Sequence, residues 1–295
     1  MKTALCNALV AGSLIAAQPQ DYRVVSEVRL VVLDVSVRDQ SGKAVVGLGR
    51  GAFRVLDSGR ETSLAAFGGE DTAVTIALVV DTSASMRVKR RDVALAVDTF
   101  VSECNPGDEI MAVTFNDRVS ALGARETSSL GASLGAAVMD GRTALFDGID
   151  AGLTMIGKGT RERKVAVVIS DGGDNASRLN RRRILERAGA ANVTIYAIGI
   201  FQESSPDADP GFLRQIARLT GGDARIGVES GELRAVCSEI AREIRARYML
   251  AFHASEARRR ETRPIRVLVA APNVERPRVL CRRSYVAGPA PEARP

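Results

Sequence analysis

Four short apolar runs, at 73–80, 110–115, 165–169 and 193–200, constrain this chain more than any other feature. A run of that length with no polar alternation suits a strand buried on both faces of a parallel sheet. The stretches at about 88–103, 144–156, 179–189, 210–219 and 230–247 carry helical patterning. In the last, Leu233, Val236, Cys237, Ile240 and Ile244 fall on one face at i, i+3, i+4 spacing. Strands alternating with helices predict a doubly wound, mostly parallel α/β domain over 73–247. With 295 residues, 45% of them hydrophobic and 26% charged, the chain has ample means to bury such a core, and wholesale disorder is excluded.

The flanks have another texture. Val31, Leu33, Val35 and Val37 recur at the strand period of two, and 22–70 reads as an N-terminal β segment. Asp57-Ser58-Gly59-Arg60 is expected to be a hairpin turn joining strands at 53–56 and 63–67. After Arg247 the β pattern returns at 248–252, 265–270 and 279–286, giving a C-terminal β segment over 248–286. Arg258-Arg259-Arg260-Glu261 reads as a solvated turn and 287–295 as a frayed tail. Neither flank makes a good core alone. The economical solution pairs them into one small β-sandwich around the inserted α/β domain.

Met1-Lys2-Thr3 followed by a mostly apolar run to Ala17 and then Gln-Pro-Gln has the shape of a secretory signal peptide over 1–19, although the small-residue cleavage pattern is weak. A secreted or periplasmic location is expected, with no transmembrane span in the mature chain. Removal of Cys6 with the leader would leave Cys104, Cys237 and Cys281. They are too widely spaced for a zinc CxxC pattern, and free thiols are the expectation over one disulfide. The net charge of +6 comes with only five lysines among 41 basic residues, 12 aromatics and no tryptophan. Without a recognition motif or stacking aromatics, that balance argues against nucleic-acid binding.

Ligands of open α/β sheets bind beyond the carboxyl ends of the strands. Three segments are expected there: Asp81-Thr82-Ser83-Ala84-Ser85, Gly141-Arg142-Thr143 and Ser170-Asp171-Gly172. They offer carboxylates and hydroxyls without His or Cys, a donor set suited to Mg²⁺, with Mn²⁺ as a close substitute. Because hydroxyls are neutral, two carboxylates only balance a divalent ion, which keeps its attraction for an outside acidic group.

Asp81-x-Ser83-x-Ser85, the separate Thr143 and Asp171-Gly172 resemble the metal-ion-dependent adhesion site of von Willebrand factor type A (VWA) domains. The resemblance extends over about 73–247. It implies that Ser83, Ser85 and Thr143 are direct ligands and that Asp81 and Asp171 are the anionic members of the shell. The stretches from Val45 to Gly59, from Asp171 to Ser177 and from Arg282 to Tyr285 resemble the VWFA-related domain family described in Acidobacteria. The implied function is a non-enzymatic, exported protein-binding module of adhesion type, whose Mg²⁺ or Mn²⁺ accepts a carboxylate from a protein partner. In related domains the final helix shifts when the site engages its ligand. Here the helix at 230–247 runs without a linker into the strand at Tyr248, so a shift would pass into the β segment.

Other residues admit two readings. Asp174 and Asn175 lie on the site's loop and either contact a ligand or form a turn. Asp147 either orients the shell or favours the start of its helix. Arg87, with Lys89, Arg90 and Arg91, either draws in acidic partners or forms a solvated basic face. The glycines at 47–51 and 152–159 fit neither dinucleotide nor phosphate-loop context. A serine hydrolase would need a base near its nucleophile; the single histidine, His253, lies in an expected strand after the α/β domain and reads as an ordinary strand residue. Two alternatives stay open: a scaffold that never uses a metal, and a subunit of a metal-dependent enzyme complex such as a chelatase.

Overall fold

A computed structural model describes residues 30–122, 130–171, 173–201, 208–254, 259, 261–272 and 274–288. The leader at 1–19, Gly172, Arg258, Arg260 and 289–295 lie outside these; Ala287, expected to open the frayed tail, instead ends a strand and is buried.

The centre is a six-stranded sheet in the order β10-β9-β8-β5-β6-β7. Its strands are β5 (Val74–Asp81), β6 (Glu109–Phe115), β7 (Val119–Leu122), β8 (Arg163–Ser170), β9 (Thr194–Gly199) and β10 (Ala224–Ile226). All pairings are parallel except β6 with β7. Every residue of β5 is buried, and its side chains alternate between two cores. Val74, Ile76, Leu78 and Val80 join the core formed by α1 (Arg90–Glu103), α2 (Leu130–Ala136) and α6 (Leu233–Arg245). Ala77 and Val79 join the opposite core, under α3 (Leu145–Ile156), α4 (Arg181–Ala190) and α5 (Pro210–Thr220). Two covered faces explain why the sequence shows an apolar run instead of alternation.

Two antiparallel four-stranded sheets accompany the central one among the described residues. One has the order β13-β1-β11-β4 and the other β14-β12-β2-β3. The strands are β1 (Leu30–Arg38), β2 (Phe53–Asp57), β3 (Arg60–Thr62), β4 (Leu64–Gly68), β11 (Tyr248–His253), β12 (Glu261–Val269), β13 (Arg278–Leu280) and β14 (Ser284–Ala287). Their inner faces share one core that includes Val31, Leu33, Val35, Val55, Leu250, Phe252, Ile265 and Tyr285.

The structure departs from the sequence expectations in three places. The turn at 57–60 forms, with Ser58 at φ 51° and Gly59 at φ 84°, but its second strand is β3, which pairs with β2. The segment expected as that strand becomes β4, which crosses to the other sheet and pairs with β11. The run at 279–286 is broken at Cys281–Arg283: β13 pairs with β1 and β14 with β12, in different sheets. The short elements α2, β7 and β10 carry no pattern that announced them.

The break at 281–283 has a cause. Arg282 is 4% exposed and donates to Gly189 O (2.9 Å), Ala191 O (2.7 Å) and Asn192 Oδ1 (2.9 Å), at the end of α4. Arg247, between α6 and β11, donates to Gly221 O (2.6 Å), the C-cap of α5, and to Leu280 O (3.3 Å). Arg163 donates to Ile244 O in the last turn of α6 and to Thr72 O (3.2 Å). Three buried guanidiniums thus meet the partly negative C-terminal ends of three helices. Asp34 of β1 accepts from both Arg163 and Arg247, the latter at 3.1 Å. This junction welds the sandwich to the amino end of the sheet, opposite the strand ends that carry the candidate site. Gly221 is needed there twice: it sits at φ 85°, and a Cβ on it would lie 2.3 Å from Arg282 N.

Candidate metal centre

β5 continues to β6 on one side of the sheet, whereas the chain returns through α3 to β8 on the other. The strand order therefore switches between β5 and β8, the position where open α/β sheets leave a crevice. Val80 is in register with Ile169, so Asp81 and Ser170 leave the sheet side by side, with Asp171 next.

Asp81 is fully buried. Its Oδ1 accepts from Ser83 N (2.8 Å) and its Oδ2 from Ser170 Oγ (2.7 Å). Burial pushes its carboxyl up to about 6, against the lowering effect of the hydrogen bonds from Ser83 and Ser170, with the Asp171 charge adding to the rise. Among the described residues Asp81 makes no ion pair. The Asp81–Ser83 bond folds the loop back, and Ser83 Oγ then stands 3.1 Å from Ser85 Oγ. Ser83 is buried and Ser85 exposed, so the hydroxyl pair runs from the interior to the surface.

Thr143 arrives on a separate loop tied to the first by backbone bonds: Asp140 N to Thr82 O (3.1 Å) and Ala84 N to Gly141 O (3.2 Å). It is 6% exposed. Its N–H donates to Asn175 Oδ1 (3.0 Å), and its carbonyl accepts from the N–H groups of Asn175 (2.9 Å) and Ala176 (3.1 Å). Asn175 therefore clamps the Thr143 loop to the one leaving β8. Asp174, whose carboxyl burial raises, accepts from Ser177 Oγ (2.6 Å) and Phe146 N (3.4 Å), at the start of α3. Asp147 accepts from the N–H groups of Arg178 and Leu179, both at 3.0 Å. These three side chains hold the two loops to each other. Arg87 is exposed and donates from Nε to Met139 O (3.2 Å).

Two residues of the centre were named in sequence only as members of their stretches. Ser170 ends an apolar strand in register with Asp81, a signal visible only once the strand pairing is known. Lys89 ends the 3-10 turn Ala84–Lys89 and lies 3.6 Å from Asp171 Oδ2; in sequence it belongs to a basic stretch without distinction.

The donor set fits a hard divalent cation. A buried carboxylate without a cationic partner is costly unless a positive charge reaches it, and the neighbouring donors are hydroxyl oxygens, suited to Mg²⁺ or Mn²⁺. Among the described residues no three His, Cys, Asp or Glu side chains are grouped to hold a metal. Cys104, Cys237 and Cys281 are free thiols; burial pushes the first two up to about 12 and the third to about 11.

The model of the von Willebrand factor type A domain matches residues 75–233, more than half of the chain. The protein belongs to the VWA family. Comparison with curated protein sequences finds no significant match. Among solved structures, a von Willebrand factor type A protein from Catenulispora acidiphila superposes with a TM-score of 0.52 at 13% identity, covering 89% of this chain and 74% of that one. The pilus adhesin SpaC of Lactobacillus rhamnosus GG, in an open conformation, gives 0.50 at 13% identity, covering 70% and 36%. Proximal thread matrix protein 1 of the mussel byssus, with a zinc-occupied MIDAS motif, gives 0.51 at 17% identity, covering 64% and 49%. The chain thus spans about a third of the second structure and half of the third. At these identities the likeness is one of fold. The VWA α/β layer is the part carrying the candidate centre, and no helix among the described residues is long and apolar enough to cross a membrane.

Proposed function

We propose that this VWA protein is an exported, non-enzymatic binding module. A divalent cation, Mg²⁺ or Mn²⁺, is held by Asp81, Ser83, Ser85, Thr143 and Asp171 and accepts a carboxylate from a protein partner. The observation that carries this reading is the wholly buried Asp81 carboxylate, without an ion pair among the described residues, opening onto a pair of hydroxyls that reaches the surface. An ion held mainly by neutral oxygens keeps enough charge to attract an acidic group from outside. The protein's own side chains bind and orient: Asp81 fixes the Ser83–Ser85 loop, and Asn175 fixes the Thr143 loop.

Two features of known proteins favour this reading. One fold neighbour is a pilus adhesin and another has a zinc-occupied MIDAS motif. The apolar N-terminal stretch of the sequence favours export. Asp174, Asn175 and Arg87 are proposed to border the partner's approach, the first two mainly by shaping the loop. A two-metal hydrolase wants more carboxylates or histidines around the ion than these two aspartates.

The test is a calorimetric Mg²⁺ and Mn²⁺ titration beside an Asp81→Ala/Thr143→Ala double variant, with melting curves to confirm folding. Saturable heat in the wild type and none in the folded variant supports the centre. Equal heats in both proteins, or none in the wild type even with acidic partners present, return the domain to a scaffold that does not use a metal.

A further inference from the structure

We propose that Lys89 is a tethered counter-cation of the centre: it neutralises Asp171 in the metal-free protein, weakens the hold on the metal, and makes the loaded site more attractive to a carboxylate. The inference rests on the metal-binding reading above and concerns how that site is tuned.

Lys89 ends the short turn that follows Ser83 and contains Ser85, so its position is fixed by the same loop that presents the hydroxyls. Its ammonium stands 3.6 Å from Asp171 Oδ2, with side-chain exposures of 20% for the lysine and 14% for the aspartate. The same nitrogen donates at 2.8 Å to Ile200 O, just beyond the end of β9. The carbonyl anchors the ammonium, which faces Asp171 without a short hydrogen bond. Asp171 is therefore charge-compensated yet remains free to turn toward an ion.

The residue type matters. Arginine supplies 36 of the 41 basic residues of this chain, so a lysine here departs from its habit. A guanidinium can grip a carboxylate bidentately and hold its geometry, whereas an ammonium is a compact point charge with rotatable donors. Charge counting gives the consequence. Asp81 and Asp171 contribute two negative charges and Lys89 one positive. A divalent ion then leaves the site net positive by one, instead of neutral as it would be without the lysine. Like-charge repulsion lowers metal affinity, and the residual positive charge raises affinity for an anionic ligand. Metal and carboxylate strengthen each other by the same factor in any case, and the lysine's charge lets the carboxylate bind the loaded site more tightly, so that more of this strengthening is seen at a given carboxylate concentration.

The experiment compares wild type, Lys89→Met and Lys89→Arg by Mn²⁺ titration calorimetry at low salt, in sodium chloride and in sodium acetate of equal ionic strength. Lys89→Met is expected to bind Mn²⁺ roughly three- to tenfold more tightly in chloride, an effect that shrinks as salt screens the charge. It is also expected to lose part of the strengthening that acetate gives the wild type, while Lys89→Arg, able to grip Asp171 bidentately, is expected to bind Mn²⁺ more weakly than the wild type in chloride. A lysine needed only for structure would, on removal, loosen the loops and weaken Mn²⁺ binding, so the sign of the change separates the two roles. Equal or weaker binding by Lys89→Met, with the wild type still saturable and Asp81→Ala silent, overturns the role of Lys89 and leaves the metal centre standing. Absence of any wild-type signal that Asp81→Ala removes overturns both.

Discussion

Replacing Asp34 by asparagine tests whether the junction between sandwich and α/β layer is held by buried charge. The side chain keeps its shape but loses its negative charge, leaving Arg163 and Arg247, each 1% exposed, without a carboxylate. Each guanidinium keeps carbonyl partners: Ile244 and Thr72 for Arg163, Gly221 and Leu280 for Arg247. The carbonyls solvate the charges but do not cancel them. Breaking a buried pair by removing one partner costs about 3–5 kcal/mol, a large share of the roughly 5–15 kcal/mol that holds a typical domain folded. At about 2–4 °C per kcal/mol for a chain of this order, Tm should fall by roughly 6–20 °C. Urea denaturation followed by circular dichroism, with calorimetry for Tm, reads the effect. Arg247→Met should cost much less in the Asp34→Asn background than alone, giving a coupling of about 1 kcal/mol or more. A loss below about 1 kcal/mol for Asp34→Asn, the range of exposed pairs, would refute the reasoning and mean that the carbonyls suffice.

Two further outcomes are expected. Asn175→Ala removes the acceptor of the Thr143 N–H; Mn²⁺ affinity should drop by about tenfold, as when a residue that orients a metal ligand is lost, while stability changes by only about 1 kcal/mol, and unchanged affinity would remove Asn175 from the site. Glu109, held down to about 2 chiefly by hydrogen bonds from Thr160 and Thr75, binds fewer protons folded than unfolded between that value and its usual 4.5. Its stabilisation is therefore complete above the upper value and fades as pH falls through about 2. The Tm gap between wild type and Glu109→Gln should be open at neutral pH and closed in strong acid; a gap independent of pH would contradict this.

Much of the α/β layer was legible because burial on both faces leaves a local trace. β5, β6, β8 and β9 read as apolar runs, and the face of α6 showed in the spacing of Leu233, Cys237, Ile240 and Ile244. The missed elements lack that trace for identifiable reasons. β7 is a mostly exposed edge strand and β10 a half-buried one of three residues. α2, with the sequence LGASLGA, has weak helical tendency and is placed by burying Leu130 and Leu134 in the core beside α1. Strand partners were harder still, since the local sequence of β4 or β14 reads the same whichever sheet receives it.

The candidate centre divides in the same way. Strand ends pointed in sequence to the segments at 81–85 and 170–172, and the resemblance to the adhesion site is what proposed Asp81, Ser83, Ser85, Thr143 and Asp171 within and beside them. The tertiary structure decided which neighbours serve them: Ser170 bonded to Asp81, Asn175 clamping Thr143, and Lys89 facing Asp171. It alone decided the junction. Asp34 reads in sequence as a polar interruption of β1, and Arg163 and Arg247 as two arginines among 36. Their partnership spans separations of 129 and 213 residues. Local pattern records how each residue faces solvent; which buried charges must meet follows only from how the sandwich docks on the helix ends.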